Sequence, residues 1–150
     1  MFRGRHDHVL DDKGRTSLPK HFRAELEEVS SEPSWITMFP EFIAILPDPL
    51  FRSLESGLAD MGPISGLADG IRRMLIGNAE PCTVDKQGRV MIAPHLRSWA
   101  HLSREIVLNG VGNYIEIWDR SRYEANLQKT RESYGEWADI IGQRLRNPAP

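Results

Sequence analysis

Asp11 and Arg15 flank Asp12-Lys13-Gly14, and Asp85 and Arg89 flank Lys86-Gln87-Gly88. In each block an acid and an arginine stand four residues apart across a run short enough for a tight loop, so carboxylate and guanidinium come within pairing distance. A planar arginine fork braced in this way loses less rotamer freedom when it meets a second partner. Its free N–H groups then suit a phosphate, or the O6/N7 edge of guanine in a major groove. Lys13, Lys86, Arg3, Arg5 and Lys20 add cations better placed for phosphates, contacts that set affinity and register but not sequence. A single pair of this kind reads as structure: aspartate closes a turn through its own backbone, and an exposed ion pair contributes at most about 1 kcal/mol. Two copies, each within a basic stretch, shift the reading toward an anion-binding device.

The charge distribution points the same way. The 150 residues carry a net charge of −2, an unpromising total for a polyanion's partner. Yet residues 1–23 hold six Lys/Arg against three acids, and residues 71–104 hold six against two. The other 93 residues hold seven bases and sixteen acids. Positive charge is thus gathered in two stretches, and a local patch matters more to an anionic partner than the total does. Arg23 and Arg97, after each block, suit a phosphate contact and an internal salt bridge equally. Arg72 and Arg73 read as subunit-packing residues.

Those stretches also match in sequence. Residues 10–23 align with 84–97 without a gap, and five of fourteen positions are identical: Asp11/Asp85, Gly14/Gly88, Arg15/Arg89, His21/His95 and Arg23/Arg97. Leu10/Val84, Leu18/Ile92 and Phe22/Leu96 keep apolar character. A second block repeats in the same order, Trp35-Ile-Thr and Phe42-Ile-Ala-Ile-Leu46 matching Val107-Leu-Asn and Tyr114-Ile-Glu-Ile-Trp118. Collinear repetition of two blocks signals an internal duplication.

Each copy must therefore build the elements that hold one Asp/Arg pair. His8–Asp11 and Cys82–Asp85 read as first strands, and Thr16–Leu18 and Val90–Ile92 as returning ones. Gly14 and Gly88 supply the left-handed residue of a three-residue hairpin loop. Pro19 and Pro94 sit where a helix begins, which gives short helices at Lys20–Val29 and His95–Ala100. The second hairpins turn at Phe39-Pro40-Glu41 and at Gly110-Val111-Gly112-Asn113. Asp48 and Asp119 are expected to cap the closing helices. The Gly/Pro-rich run at 61–66 breaks the chain, and Leu67, Ile71, Met74 and Leu75 at helical spacing predict a linking helix ending at Gly77. The resulting division is 1–60, a linking helix at 61–77, 78–125, and a C-terminal helix and tail at 126–150. The last helix, about Ser121–Arg146, is interrupted by Gly135 and Gly142.

Other chemistries find less support. His6 and His8 share a strand face, but no further Cys/His cluster completes a metal site. Cys82 has no nucleophile motif around it and reads as a buried small residue. Gly110-x-Gly112 lacks the third glycine and following helix of a dinucleotide site. Trp35, Trp99, Trp118 and Trp137 read as core or interface. No apolar run reaches the roughly 20 residues of a membrane span. The basic N-terminus lacks the apolar stretch of a signal peptide, and one cysteine fits a reducing cytoplasm. No acid/base or nucleophile constellation marks an enzyme.

The opening Met1-Phe-Arg-Gly4, the first block with Pro19 and Arg23, the stretch Gly77-Asn-Ala through Arg97, and Glu116-Ile-Trp-Asp119 together resemble the MraZ family over essentially residues 1–125. That resemblance implies an α+β fold: two SpoVT/AbrB-like halves paired about a pseudo-two-fold axis into a duplicated swapped-hairpin β-barrel with flanking helices. It implies a ring-shaped homo-oligomer, an octamer or similar. It further implies a sequence-specific regulator that binds double-stranded promoter DNA at repeated short G-rich elements. The expected promoter is that of the division and cell-wall gene cluster, usually repressed. Such a protein is cytoplasmic, associated with the nucleoid, and needs no cofactor. The competing class is an AbrB-like antitoxin or protein-interaction module, favoured by a disordered extension after a single unit. Two units followed by a helical 121–146 argue against it.

Overall fold

Burial alternates from Phe2 onward, and the chain is extended from that residue. The computed structural model describes residues 1–62 and 66–150, so positions 63–65 of the expected break lie outside the described residues. The elements run β1 (Phe2–Val9), β2 (Arg15–Ser17), α1 (Lys20–Val29), β3 (Ser34–Met38), β4 (Ile43–Leu46), α2 (Asp48–Asp60) and α3 (Gly66–Leu75). They continue with β5 (Glu80–Cys82), β6 (Arg89–Met91), α4 (Pro94–Trp99), β7 (Glu105–Gly112), β8 (Ile115–Asp119), α5 (Arg120–Glu132) and α6 (Tyr134–Arg146). This is an α+β chain with antiparallel sheets. Among the described residues the strands form a six-stranded sheet and a separate two-stranded one, with no closed barrel.

The pairing exchanges strands between the two sequence repeats. The large sheet has the order β1-β7-β8-β4-β3-β5, so the first strand of each repeat lies against the third strand of the other. At the centre, Ile43, Ala44 and Ile45 of β4 face Ile117, Glu116 and Ile115 of β8, each residue opposite the counterpart of its own neighbour. In the small sheet Thr16 faces Val90, its counterpart, with Arg15 opposite Met91 and Ser17 opposite Arg89. One core serves both repeats: Leu18 and Ile92, Phe22 and Leu96, Ile43 and Ile115, and Ile45 and Ile117 are all buried in a single cluster. Residues Met1–Arg120 form one compact unit and Ser121–Pro150 a second.

Several local expectations shift. The first strand begins at Phe2 rather than His8, because its partner is the full length of β7: Phe2 lies opposite Gly112 and Val9 opposite Glu105. Residues 110–112 consequently stay in β7 instead of turning. A Cβ at Gly110 would stand 2.5 Å from the Arg3 backbone nitrogen and 2.7 Å from the Phe2 carbonyl carbon, so the bare backbone is what admits β1. Asp48 does not cap α2, whose N-cap is Pro47. Its carboxylate instead accepts from Trp35 Nε1 at 2.9 Å and Arg52 Nε at 2.6 Å. Asp119 ends β8 and accepts from the Ser103 backbone N–H and hydroxyl at 3.2 and 2.7 Å. The linking helix ends at Leu75 and buries Ala68 and Leu75, while Leu67 is exposed. Arg72 is engaged within the chain, donating to the carbonyls of Leu58 and Gly62 and to Asp69. In the second unit the helix breaks at Ser133, and Gly135 and Gly142 lie inside α6. Trp137 Nε1 donates to the Thr130 carbonyl across that break at 2.7 Å.

Candidate nucleic-acid interface

The two Asp/Arg loops fold alike. Asp11 N–H donates to the Arg15 carbonyl and Gly14 N–H to the Asp11 carbonyl, closing a loop in which Gly14 has φ +80°. Asp85, Arg89 and Gly88 repeat the pattern, with Gly88 at φ +77°. That conformation is cheap only without a Cβ. Each aspartate then works in two directions. One oxygen of Asp11 accepts the backbone N–H of Lys13 at 2.9 Å and of Arg15 at 2.8 Å, and the other accepts Arg15 Nε at 2.6 Å. One oxygen of Asp85 accepts the N–H of Gln87 and of Arg89, both at 2.9 Å, and the other accepts Arg89 Nε at 2.9 Å.

The backbone N–H of Arg15 holds the Asp11 carboxyl below its ordinary range, with the Arg15 side chain adding to the effect; Arg89 does the same for Asp85. The aspartates therefore close the turn and brace the arginine at once. Because Nε is the atom engaged, the terminal Nη groups face outward, with Arg89 Nη2 near Gln87 Oε1 at 3.4 Å.

The small sheet sets the two arginines side by side. Thr16 and Val90 point inward and are buried, whereas Ser17 and Met91 are exposed on the opposite face. Arg15 and Arg89 share that outer face as diagonal neighbours, a relation that sets Cα atoms about 7–8 Å apart. Their side chains are 28% and 31% exposed, held but accessible. Lys13 and Lys86 are exposed on the loops themselves. Lys20 is exposed as the first residue of α1.

Arg3 and Arg5 are placed differently. They lie on the exposed face of β1, and at about 3.3 Å per residue Arg3 is roughly 20 Å of strand from Val9, where the chain leaves for the first loop. Arg5 is also engaged by Asp7, through Nε at 2.8 Å and Nη2 at 3.3 Å.

Arg23 and Arg97 settle across the repeats. A Cβ at Gly14 would lie 2.6 Å from Arg97 Cζ, and a Cβ at Gly88 would lie 2.6 Å from Arg23 Nη1. Each guanidinium rests on the glycine of the other repeat's loop. Neither side chain has an ion pair or hydrogen bond among the described residues, and the Nε of each is buried without a partner. Beside the first loop a cleft of about 680 Å³ is lined by Asp11, Asp12, Arg97, His101 and Arg104, among others. Sequence reasoning did not select Arg104, whose only signal was membership of the second basic stretch.

The remaining chemistry is structural. His6, His8 and His21 gather on one surface, with ring centroids of His6 and His21 at 4.9 Å, but among the described residues no His/Cys/Asp/Glu group is arranged to hold a metal. Burial pushes the Cys82 thiol up to about 12, which leaves it protonated and unreactive. Trp118 is buried, and Trp99 donates its indole N–H to the Phe39 carbonyl at 2.6 Å. Among the described residues no helix is long and apolar enough to cross a membrane.

Comparison with known proteins places this arrangement. Residues 75–139 match the family model described as "MraZ protein, putative antitoxin-like". A protein of Solidesulfovibrio magneticus is 39% identical over 137 residues, 89% of this chain and 90% of its own length. One of Methylococcus capsulatus is 36% identical over 149 residues, 99% of this chain and 95% of its own. One of Herpetosiphon aurantiacus is 32% identical over 146 residues, 97% of this chain and 96% of its own. Each of the three is named Transcriptional regulator MraZ.

Proposed function

The chain belongs to the MraZ family, and from that premise we propose that it regulates transcription by binding specific duplex DNA, not by catalysis. The observation that carries the proposal is the pair Arg15 and Arg89, each braced by an aspartate and both on the outer face of one two-stranded ladder. A major groove admits a two-stranded β-ribbon, and arginine donating to guanine O6 and N7 is the commonest specific contact there. Asp11 and Asp85 orient the arginines; Lys13, Lys86 and Lys20, with Arg3 and Arg5 farther out, neutralise phosphates.

The reading extends to the family's finer properties. The strand exchange between repeats supports an AbrB-like swapped-hairpin arrangement. The division into two such units, a linking helix and a C-terminal segment follows from it. We take the target to be repeated short G-rich elements in the promoter of the division and cell-wall gene cluster, bound as a repressor in the nucleoid of the cytoplasm. A ring-shaped homo-oligomer, an octamer or similar, would present many ladders to such repeats, and linked weak contacts then multiply in affinity.

The test is binding of the full chain to the duplex upstream of its own gene and to a shuffled duplex of equal length. Arg15→Ala with Arg89→Ala should abolish the preference between the two while leaving the fold intact. A folded double variant that retains the parent's preference would refute the role given to these arginines.

A further inference from the structure

We infer that Arg23 and Arg97 form a second pair of phosphate-contacting guanidiniums, each delivered by one repeat to the DNA-binding loop of the other. The inference rests on the DNA-binding reading and assigns to that site two residues the sequence left between a phosphate contact and an internal salt bridge. No salt bridge forms: neither side chain has a carboxylate partner among the described residues. A guanidinium that gains no ion pair from its own chain still keeps its full charge. It is also ordered, since Arg97 lies on Gly14 and Arg23 on Gly88 closely enough that a methyl group at either glycine would collide with it. Half-buried, with Nε turned inward, each presents its remaining N–H groups beside an Asp/Arg loop.

Charge at the loops shows what these arginines contribute. The first loop carries Asp11, Asp12, Lys13 and Arg15, two acids against two bases, and is neutral by itself. The second carries Asp85, Lys86 and Arg89, a single excess positive charge. The bracing aspartates that orient Arg15 and Arg89 also cancel their charge. Arg97 makes the first loop cationic, and Arg23 doubles the excess at the second. Each loop therefore takes its orienting carboxylate from its own repeat and its uncompensated cation from the other, so neither repeat alone completes a site. Gly14 and Gly88 serve twice, in the left-handed turn and as a seat for the crossing guanidinium.

The experiment titrates salt. Binding of the full chain to the upstream duplex and to the shuffled duplex is followed by fluorescence anisotropy between about 50 and 200 mM salt. Arg23→Gln with Arg97→Gln should weaken both duplexes alike, by about tenfold or more, and preserve the ratio between them. The slope of log affinity against log salt should flatten by about 0.9 for each phosphate contact removed. Arg23→Lys with Arg97→Lys keeps the charge and should keep the slope. A Gln pair that melts like the parent and retains its slope overturns the inference, as does a loss confined to the upstream duplex, which would mark a base contact. If the Gln pair fails to fold, the Lys pair decides: a folded Lys pair with a flattened slope overturns the assignment, and an unchanged slope supports it. Arg15→Ala with Arg89→Ala in the same assay separates the two readings, because only the failure of DNA binding itself leaves that variant's preference equal to the parent's.

Discussion

Gly110→Ala is the sharpest probe of how the two repeats are joined, because it acts where β1 lies against β7. The added Cβ would stand 2.5 Å from Arg3 N, 2.7 Å from Phe2 C and 3.0 Å from Arg3 Cα. All three are backbone atoms, which cannot rotate away as a side chain would. Two responses compete. Forcing the methyl into place costs the overpacking penalty of about 1–3 kcal/mol or more. Releasing Phe2–Gly4 from the sheet exposes Phe2, buried to 2% and packed edge-on against Phe22; that loss is about 1.5–3 kcal/mol. Strand hydrogen bonds worth about 0.5–1.5 kcal/mol each go with it. Freed backbone recovers about 1–2 kcal/mol per residue. The cheaper route sets the cost, and both arrive near 2–3 kcal/mol, a fall in melting temperature of roughly 10 °C for a chain of this size.

Thermal unfolding by circular dichroism measures the fall. Gly57→Ala is the control, since a Cβ there meets nothing within 4 Å inside α2, and alanine is the better helix former by about 1 kcal/mol. A second cycle distinguishes the two responses. If β1 detaches, Phe2→Ala costs much less in the Gly110→Ala background than in the parent. A Gly110→Ala protein that melts within about 2 °C of the parent would refute the close approach and the β1–β7 register.

Two further outcomes concern pH. The Cys82 thiol, raised by burial to about 12, should resist a thiol reagent at pH 8 in the folded protein and react on unfolding. A group whose folded value lies above its unfolded one stabilises fully below the unfolded value near 8.5 and loses that contribution as pH climbs toward 12; a Cys82→Ala protein whose stability falls just as steeply over that range would remove thiol ionisation as the cause. Asp11 and Asp85 behave oppositely, since backbone N–H groups depress both. Their contribution is present above the ordinary carboxylate value near 3.9 and disappears as pH falls through the depressed one. Carboxyl NMR titrations should put both midpoints below those of Asp11 and Asp85 in the urea-unfolded chain, and coincidence with those midpoints would contradict the loop geometry.

Much of the site was legible before any coordinates, because its chemistry is local. An aspartate four residues before an arginine, with glycine between, specifies a turn, a left-handed residue and an ion pair within a five-residue span, and both loops have them. The returning strands and short helices also follow local signals, with boundaries displaced by a residue or so. Less legible were features whose cause lies far along the chain. Gly110-Val-Gly112 has turn composition, yet it remains strand because the N-terminus lies against it. Asp48 resembles a helix cap, but the Trp35 indole and Arg52 guanidinium claim its carboxylate. The break at Ser133 falls beside neither a proline nor an inherited repeat boundary, and no local signal marks it.

By itself the amino-acid sequence determined the duplicated loops, the bracing of Arg15 and Arg89, and the concentration of basic residues around them. Tertiary structure alone decided which repeat each strand joins. Two nearly equivalent strands satisfy the same local pattern, and only closure of a shared core distinguishes pairing within a repeat from pairing between repeats. That choice puts both arginines on one face of a ladder and carries Arg23 and Arg97 onto each other's loops.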